Sequence, residues 1–442
     1  MEEFSKADLK DKRLNKRLIN IVENFSDKPI SSIPMTCKDW SETAAVYRFF
    51  NQAMNPKRPL NWESILAPHI ECTMDRMRQC PVVLCLQDST ELNFNGQSIE
   101  GLGRLSYDAQ RGMYLHPTYA VTPDREPLGV IDAWMWARED KDSTRQSILE
   151  SQRWVEGYER VAERAEQMPD TRLIYIADRE SDMTALMCRA DKLKYPADWL
   201  LRSKHNRVLP EDSKKLWEKT TSKPALGCIV FDMPARAGQK ARRVSQEVFV
   251  SRELVSDGKK GTIPVTCVIA REINAPRDVK PIEWRLITNR EVADLAEAMT
   301  IIQWYLCRWE IEIFFHVLKN GCRIEALQLN HILKLELALV VYMIVAWRLS
   351  RMTKLARTQP NMSANELFSE LEWQGAYLLA KKKPPKEPPT LREVIRQIAA
   401  LGGFLGRKHD GEPGVKSLWI GFARLRDFVA GTEHMQSLQT YV

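Results

Sequence analysis

The chain has 442 residues, of which 44% are hydrophobic and 28% are charged, so it can form roughly two to four domains with buried cores. Its formal net charge of +7 permits a polyanionic partner but falls short of the charge of a strongly basic DNA-binding domain. The cysteines include no C-x-x-C pair and the histidines no zinc-type spacing, which argues against a structural zinc site or a disulfide framework.

Membrane and secretion signals are weak in this sequence. The longest unbroken apolar run, residues 337–347, is too short to span a bilayer, and the first residues lack the apolar segment of a signal peptide. The odd number of cysteines, 9, suits a reducing compartment. The cytoplasm is therefore the expected location.

The first predicted element is an amphipathic helix over residues 14–25, whose apolar side chains recur at helical spacing. Its other face is basic and consists of Lys12, Arg13, Lys16 and Arg17. A second helix is predicted to begin at a cap, either Asp39 or Ser41, and to run to Phe50. Such a module can bind DNA through phosphate contacts, although a merely solvated helix face has the same pattern.

Two short apolar segments that each end in an aspartate are predicted to be buried strands. Residues 82–87 lead to Asp88, and residues 173–177 lead to Asp178. A single aspartate at a strand end is usually a turn former or a helix cap. In open α/β sheets, however, ligands bind at the carboxyl ends of strands, so these two aspartates are expected to share a site.

The surrounding segments continue the α/β pattern. Residues 114–136 predict a hairpin, and residues 146–167 predict a helix. A further strand, residues 199–202, places Arg202 and Lys204 at its carboxyl end. They are candidate phosphate ligands near the aspartates, although a charged strand end is otherwise routine.

Residues 206–290 interrupt this alternation with strand-like runs and predict a β insertion. The insertion carries a basic tract, residues 236–243, which is expected either to approach DNA or to form a solvated hairpin. Its last strand contains Trp284. That indole can pack in the core or present an aromatic face to a ligand.

The stretch from Tyr305 to Lys319 predicts a helix with one polar stripe. At about 100° per residue, four polar groups fall within an arc of about 60°, and they are Tyr305, Arg308, Glu312 and Lys319. The intervening residues are apolar enough to bury the rest of the helix, so the stripe is expected to line a cleft. A solvated face with helical ion pairs is the alternative.

Asp88, Asp178 and Glu312 would together bring three carboxylates to one place. Oxygen ligands are what magnesium prefers, and three carboxylates can hold two divalent cations. Such a pair can activate a water and stabilise the leaving oxygen of a phosphodiester. The pattern therefore indicates metal-dependent phosphoryl transfer.

The remainder of the chain is predicted to be largely helical. Residues 332–349 predict a core helix, and Lys381–Pro389 has the proline-rich and lysine-rich composition of a linker. Helices are predicted over residues 391–401 and 417–428. They can pack within one chain or form a dimer interface.

The three carboxylates and the spacing Tyr-x2-Arg-x3-Glu-x6-Lys closely resemble the DDE transposases of bacterial insertion sequences, in the cut-and-paste branch that includes Tn5. A spaced signature with both aspartates upstream is a specific signal, whereas any single segment would be a weak one. Supporting similarity runs along nearly the whole chain, in Asp178–Asp182, Arg202–His205, Glu272–Pro276, Trp284–Thr288 and Leu401–Phe404.

The resemblance implies an α/β fold with a ribonuclease-H-like catalytic core, the β insertion, and helical N-terminal and C-terminal modules. It also implies that Asp88, Asp178 and Glu312 are catalytic and bind two magnesium ions, with manganese able to substitute. The implied reaction is DNA cleavage and strand transfer.

The resemblance further assigns DNA contacts near the cleaved phosphate to Tyr305, Arg308 and Lys319. Trp284 would stack on a flipped base during hairpin formation, which recovers part of the cost of extruding that base. The implied partners are the terminal inverted repeats, target DNA and a second copy of the chain in a synaptic homodimer, in a bacterial cytoplasm.

The expected domains are a DNA-end-binding module at residues 1–70, a catalytic domain at 71–355 with the insertion at about 206–290, and a dimerisation region at 356–442. Two other functions share features with this prediction. A nuclease of the same fold would cut DNA but never join it. A non-catalytic inhibitor of transposition would have lost a carboxylate or the N-terminal module, and this sequence retains both.

Overall fold

The computed structural model describes residues 2–4, 6–139, 143–233, 240–277 and 279–439. The N-terminal part folds into helices α1 (Lys12–Asp27), α2 (Ile33–Thr36), α3 (Trp40–Phe50) and α4 (Trp62–Met77). Asp39 caps α3 by accepting a hydrogen bond from the Glu42 backbone N–H at 2.8 Å, which settles the two predicted caps in favour of Asp39. On the basic face of α1, Lys12, Arg13 and Lys16 are exposed.

A mixed β-sheet forms the centre of the molecule. Its strands are β1 (Val82–Gln87), β2 (Thr90–Asn93), β3 (Gly103–Arg104), β4 (Arg111–Val121), β5 (Pro127–Trp136), β6 (Arg172–Ala177), β7 (Asp198–Arg202), β8 (Gly227–Met233), β9 (Arg242–Ser256), β10 (Thr262–Ile273) and β11 (Glu283–Thr288). Their order is β2-β4-β1-β6-β7-β11-β10-β9-β8, with β3 and β5 also paired to β4. The strand pairs β1–β6 and β6–β7 are parallel. The predicted strands and hairpin are confirmed.

Helices cover both faces of the sheet. They are α5 (Ser143–Glu166), α6 (Thr184–Lys192), α7 (Leu216–Thr221), α8 (Leu295–Leu306), α9 (Trp309–His316) and α10 (Ile332–Thr358). One face of β1, β6 and β7 packs with α5 and α6, whereas the other packs with α8, α9 and α10. Successive side chains along a strand point to opposite faces, and both faces of these strands are covered by helices. Each of these strands is therefore apolar on both sides.

The predicted continuous helix from Tyr305 to Lys319 is wrong. It breaks between α8 and α9, where the backbone N–H groups of Arg308 and Glu310 bond to carbonyls three residues back. A π-helical turn over Val317–Gly321 then carries Lys319. The tighter and wider turns rotate the side chains relative to one another, so the stripe is not straight.

The strands predicted for the insertion are present, and they continue the central sheet beyond β7. Residues 236–239 of the basic tract lie outside the described residues. Arg242, near the end of the tract, is ion-paired with buried Glu272 of β10. The Arg242 guanidinium therefore links two neighbouring strands of the sheet, β9 and β10.

The C-terminal part contains α11 (Glu370–Leu379), α12 (Leu391–Leu401) and α13 (Val415–Gln439), which pack against one another. Helices α12 and α13 also pack against α10. Residues 381–389 are turn and coil, as their linker composition predicts. Ion pairs join α13 to the end of α1, with Lys28 at 3.1 Å from Asp427 and Asp27 at 3.2 Å from Arg426. Among the described helices, none has the length and apolar character needed to cross a membrane.

Candidate active site

Asp88 and Asp178 lie side by side at the carboxyl ends of adjacent parallel strands. Leu86 of β1 pairs with Ile176 of β6, and each aspartate follows two residues later. Leu86 and Ile176 pack on the α9 side of the sheet, so the alternation of side chains directs both aspartates to that side. The two strand ends therefore lie at the same edge of the sheet.

Arg202 lies at the end of the next strand, so that Asp88, Asp178 and Arg202 form a row along one edge of the sheet. Ile176 of β6 pairs with Leu200 of β7, so Arg202 has the same register and faces the same side as Asp178. Lys204 follows in an exposed loop. The carboxylate of buried Asp182 accepts the backbone N–H groups of Lys204 and His205 at 2.6 and 2.8 Å, which holds this loop beside the turn that follows Asp178.

Glu312, on α9, is connected to Asp88 by the Arg308 side chain, which forms a hydrogen bond with each of them. One Arg308 nitrogen donates to Asp88 Oδ2 at 2.6 Å, and the other donates to Glu312 Oε1 at 2.6 Å. The Arg308 side chain is only 11% exposed. A guanidinium is well suited to this role because its planar fork presents donors in two directions.

The electrostatics of Asp88 reflect a crowded acidic site. Burial raises the pKa of Asp88 to about 6, the Arg308 guanidinium opposes that rise, and the charges of Asp178 and Glu312 add to it. Asp178 and Glu312 are therefore each close enough to Asp88 to repel its charge.

Within the described ranges, no three histidine, cysteine, aspartate or glutamate side chains are grouped closely enough to form a ready metal cage. Arg308 instead bridges Asp88 and Glu312. The donor chemistry nonetheless fits a hard divalent cation, because the set consists of oxygen ligands from three elements whose mutual repulsion such a cation would offset. Asp88 and Glu312 thus share the Arg308 guanidinium, and Asp178 follows the strand next to that of Asp88.

Tyr305 and Lys319 have different charged neighbours. Burial raises the pKa of the Tyr305 hydroxyl, and the guanidinium groups of Arg308 and Arg202 oppose the rise. Burial lowers the pKa of the Lys319 ammonium, and the carboxylates that oppose this are Glu325 and Glu91. Tyr305 is thus close enough to Arg202 and Asp178 to be affected by their charges, whereas Lys319 lies near a different pair of acidic residues.

Models of transposase domains match most of the chain. One described as transposase DNA-binding matches residues 1–54, one described as transposase DDE domain matches residues 156–348, and one described as transposase Tn5 dimerisation domain matches residues 344–441. The chain belongs to the Tn5-type DDE transposases. It is therefore an enzyme that binds DNA, cleaves and transfers DNA strands with divalent cations, and forms a homodimer, and its central sheet belongs to a ribonuclease-H-like core.

A solved structure, the cryo-EM structure of a piggyBac transposase synaptic complex with hairpin DNA, also resembles the chain. It is 10% identical, with a TM-score of 0.38, over 95% of this chain and 76% of that chain. The DDE-domain match spans Asp178 and Glu312, whereas Asp88 lies before its first residue.

The transposase has a basic cleft beside the carboxylates. Its volume is about 670 Å³, and the basic side chains that line it are Arg179, Arg202, Lys204, Lys280 and Arg285. Trp284 lines this cleft and also an apolar groove of about 750 Å³ next to α8. Its indole is half-buried and stacks on Phe231, with ring centroids 5.7 Å apart. Phe231 thus covers one face of the Trp284 indole, while the side chain also borders the basic cleft.

Sequence reasoning missed a buried polar network behind Asp88 in this transposase. Gln87 and Ser89, which flank Asp88, both contact His116 of β4. Burial lowers the pKa of His116 well below its usual value, helped by the nearby Arg153 charge, so its ring is neutral. The signal available in the sequence was a lone histidine within the mostly apolar run of β4.

Proposed function

We propose that this transposase binds the terminal inverted repeats of its element, excises the element through a hairpin intermediate, and inserts it into target DNA by a cut-and-paste route. Two magnesium ions, for which manganese can substitute, are held by Asp88, Asp178 and Glu312. The observation that carries the proposal is the convergence of these three carboxylates on one side of the sheet, two from strand ends and one from α9.

The chain's own residues prepare this site in two ways. Asp88 and Asp178 are fixed by the parallel register of β1 and β6, which makes their spacing a property of the sheet. Arg308 offsets the charge of Asp88 and Glu312 and contacts a phosphate bound beside them. When bound, the metal pair activates the attacking hydroxyl and stabilises the leaving oxygen.

The basic cleft gives the DNA backbone a path away from the carboxylates. Arg202 and Lys204 bind phosphates along this path, while Tyr305 and Lys319 contact DNA near the cut. Trp284, at the far side of the cleft, offers its indole to an extruded base in the hairpin step. The exposed basic face of α1 binds the terminal repeat through phosphate contacts.

The division into residues 1–70, 71–355 and 356–442 remains a prediction. Residue 70 lies within α4 and residue 355 within α10, so each of these helices joins two neighbouring parts. A bacterial cytoplasmic location is part of the same proposal.

The first prediction tests the triad. Asp88→Asn, Asp178→Asn and Glu312→Gln should each abolish cleavage of a duplex that carries the element's ends, because each removes a metal ligand. Gel-shift binding to the same ends in EDTA should persist, because the side chains that bind phosphates remain. Gel separation of the cleaved products measures the effect.

Glu310→Gln is the matched control, since Glu310 lies on the same helix and is also half-buried, yet its partner is Arg125 at 3.8 Å. It should cleave as the wild type does. Normal cleavage by any of the three triad variants, or by the wild type with all divalent metal chelated, would contradict the proposal.

A further inference from the structure

The strand that carries Asp88 is interrupted at a defined place. β1 pairs with β4 up to Gln87, opposite Thr118, and β2 resumes pairing with the same strand at Thr90, opposite Leu115. The gap therefore lies opposite His116 and Pro117. Because proline has no backbone N–H, Pro117 cannot donate a ladder hydrogen bond at this point.

His116 supplies side-chain hydrogen bonds at the interruption. Its Nε2 lies 3.2 Å from Gln87 Oε1, and its Nδ1 lies 2.8 Å from Ser89 Oγ. The Gln87 amide group donates to Thr118 Oγ1 at 2.6 Å, which leaves its carbonyl oxygen for His116. The imidazole therefore carries its proton on Nε2 and accepts the Ser89 hydroxyl at Nδ1.

The imidazole is held tightly from the α5 side of the sheet. His116 is fully buried, and its ring centroid lies 5.6 Å from that of Trp134 and 4.5 Å from that of Trp154, both in edge-to-face geometry. Gly157 of α5 allows the approach, because a Cβ there would collide with the Gln87 carboxamide. The network thus has little freedom to shift.

We propose that His116 is a positioning residue that fixes the direction of the Asp88 carboxylate and so determines how well Asp88 binds a divalent cation. His116 ties Gln87 and Ser89 to the α5 side of the sheet. Alternation along the chain then forces Asp88 to the opposite side, where Arg308 and Glu312 lie. The inference rests on the proposed role of Asp88 as a metal ligand.

The test measures Mn²⁺ binding to the purified full-length protein by electron paramagnetic resonance, with wild type, His116→Phe, Ser89→Ala and Asp88→Asn. His116→Phe keeps an aromatic ring but removes both hydrogen bonds, so the dissociation constant for Mn²⁺ should rise about tenfold or more. Ser89→Ala removes one of the two hydrogen bonds and should give a smaller rise. Gel-shift binding to the element's ends in EDTA should be unchanged.

Tyr158→Phe is the control, because it removes a different buried hydrogen bond on the same side of the sheet, from the Tyr158 hydroxyl to the Ala197 carbonyl at 2.8 Å. It should lower the melting temperature without changing Mn²⁺ affinity. Unchanged affinity in Ser89→Ala and in folded His116→Phe, or an equal loss in Tyr158→Phe, would overturn the inference. If His116→Phe fails to fold, Ser89→Ala decides alone. Equal affinity in wild type and Asp88→Asn would refute the proposed function as well.

Discussion

Arg308 binds two of the proposed metal ligands with one guanidinium. Its hydrogen bonds to Asp88 and Glu312 are both 2.6 Å long, and the Arg308 side chain is only 11% exposed. Lysine could not reproduce this arrangement, because a single ammonium lacks the fork that spans two carboxylates. The same residue is also expected to contact DNA, so its removal should affect both acidic neighbours and the phosphate backbone.

The second prediction therefore concerns Arg308→Ala and Lys319→Ala. Each should weaken DNA binding and reduce the slope of log K against log salt by about one unit for each phosphate that the side chain neutralises. Fluorescence anisotropy across a salt series measures the slope. Lys334→Ala is the charge-matched control, since its ammonium lies 2.8 Å from the Asn330 side chain, and it should leave the slope unchanged. An unchanged slope with normal cleavage would make Arg308 and Lys319 structural ion-pairing residues.

The third prediction separates two roles of Trp284. If the indole stacks on an extruded base, Trp284→Ala should spare nicking but slow hairpin formation about five- to hundredfold, because the variant forgoes roughly 1–3 kcal/mol of stacking. Trp284→Phe keeps an aromatic face and should recover much of the rate. Step-resolved cleavage measures both variants.

A core role for Trp284 predicts a different result. Truncation would then cost about 3–5 kcal/mol of stability and lower every step together. A large fall in melting temperature with nicking and hairpin formation equally reduced would refute the base-stacking role.

At the residue scale, the sequence revealed groups that end a strand or follow a helical spacing. Asp88, Asp178 and Arg202 could be predicted because an apolar strand precedes each of them. His116 could not, since its partners Gln87 and Ser89 lie far away along the chain and meet it only through the pairing of β1 and β2 with β4. The histidine itself is visible in the sequence of β4, but no local pattern identifies its partners on other strands.

Among the elements, α8 and α9 show where periodicity fails. Arg308 keeps helical backbone angles, with φ −54° and ψ −28°, and only its hydrogen bond changes from the fourth to the third preceding residue. The spacing of hydrophobic residues in the sequence does not reveal this change of hydrogen-bond partner. The break nevertheless lies between Tyr305 and Glu312, and it changes how the two side chains are directed.

The fourth prediction concerns Glu336 of α10. Burial raises the pKa of Glu336 from 4.5 to about 7, and the charge of Glu63 adds to the rise. Between these two values the unfolded chain has already released its proton while the folded chain keeps it, so rising pH removes stability. Glu336→Gln should therefore be more stable than the wild type at pH 8 by about 1–3 kcal/mol, after allowance for partial exposure.

Chemical denaturation at pH 5 and pH 8 measures this effect. The gain from Glu336→Gln should be small at pH 5, where the wild type keeps most of its stability, and larger at pH 8. Glu71→Gln, on exposed α4 surface, should behave as the wild type at both values. An equal gain at the two pH values would show that the carboxylate charge is not the cause.

At the scale of the whole molecule, the strands of the insertion were predictable but their place was not. β11 pairs with β7, and β10, β9 and β8 follow in order, so the insertion widens the catalytic sheet. Strand pairing over such distances depends on register, which local patterns do not specify. This arrangement places Trp284 on the same side of the sheet as the carboxylates, because Leu286 and Trp284 alternate with Arg285.

The terminal modules also share one core with the catalytic sheet. Helices α1, α3, α12 and α13 all contact α10, which packs on the side of the sheet that bears the carboxylates. The DNA-binding and dimerisation parts are thus joined to the active site through one buried helix. Helical composition alone would have been equally compatible with separate domains.

The central claim is that one carboxylate triad both cuts and joins DNA. Its most direct test supplies ends that are already cut, with free 3′-hydroxyl groups, and measures their joining to a plasmid in Mg²⁺. Wild type and Glu310→Gln should join these ends, whereas Asp178→Asn should not. Joining by Asp178→Asn at the wild-type rate, or a wild-type protein that cuts ends but never joins them, would contradict the account.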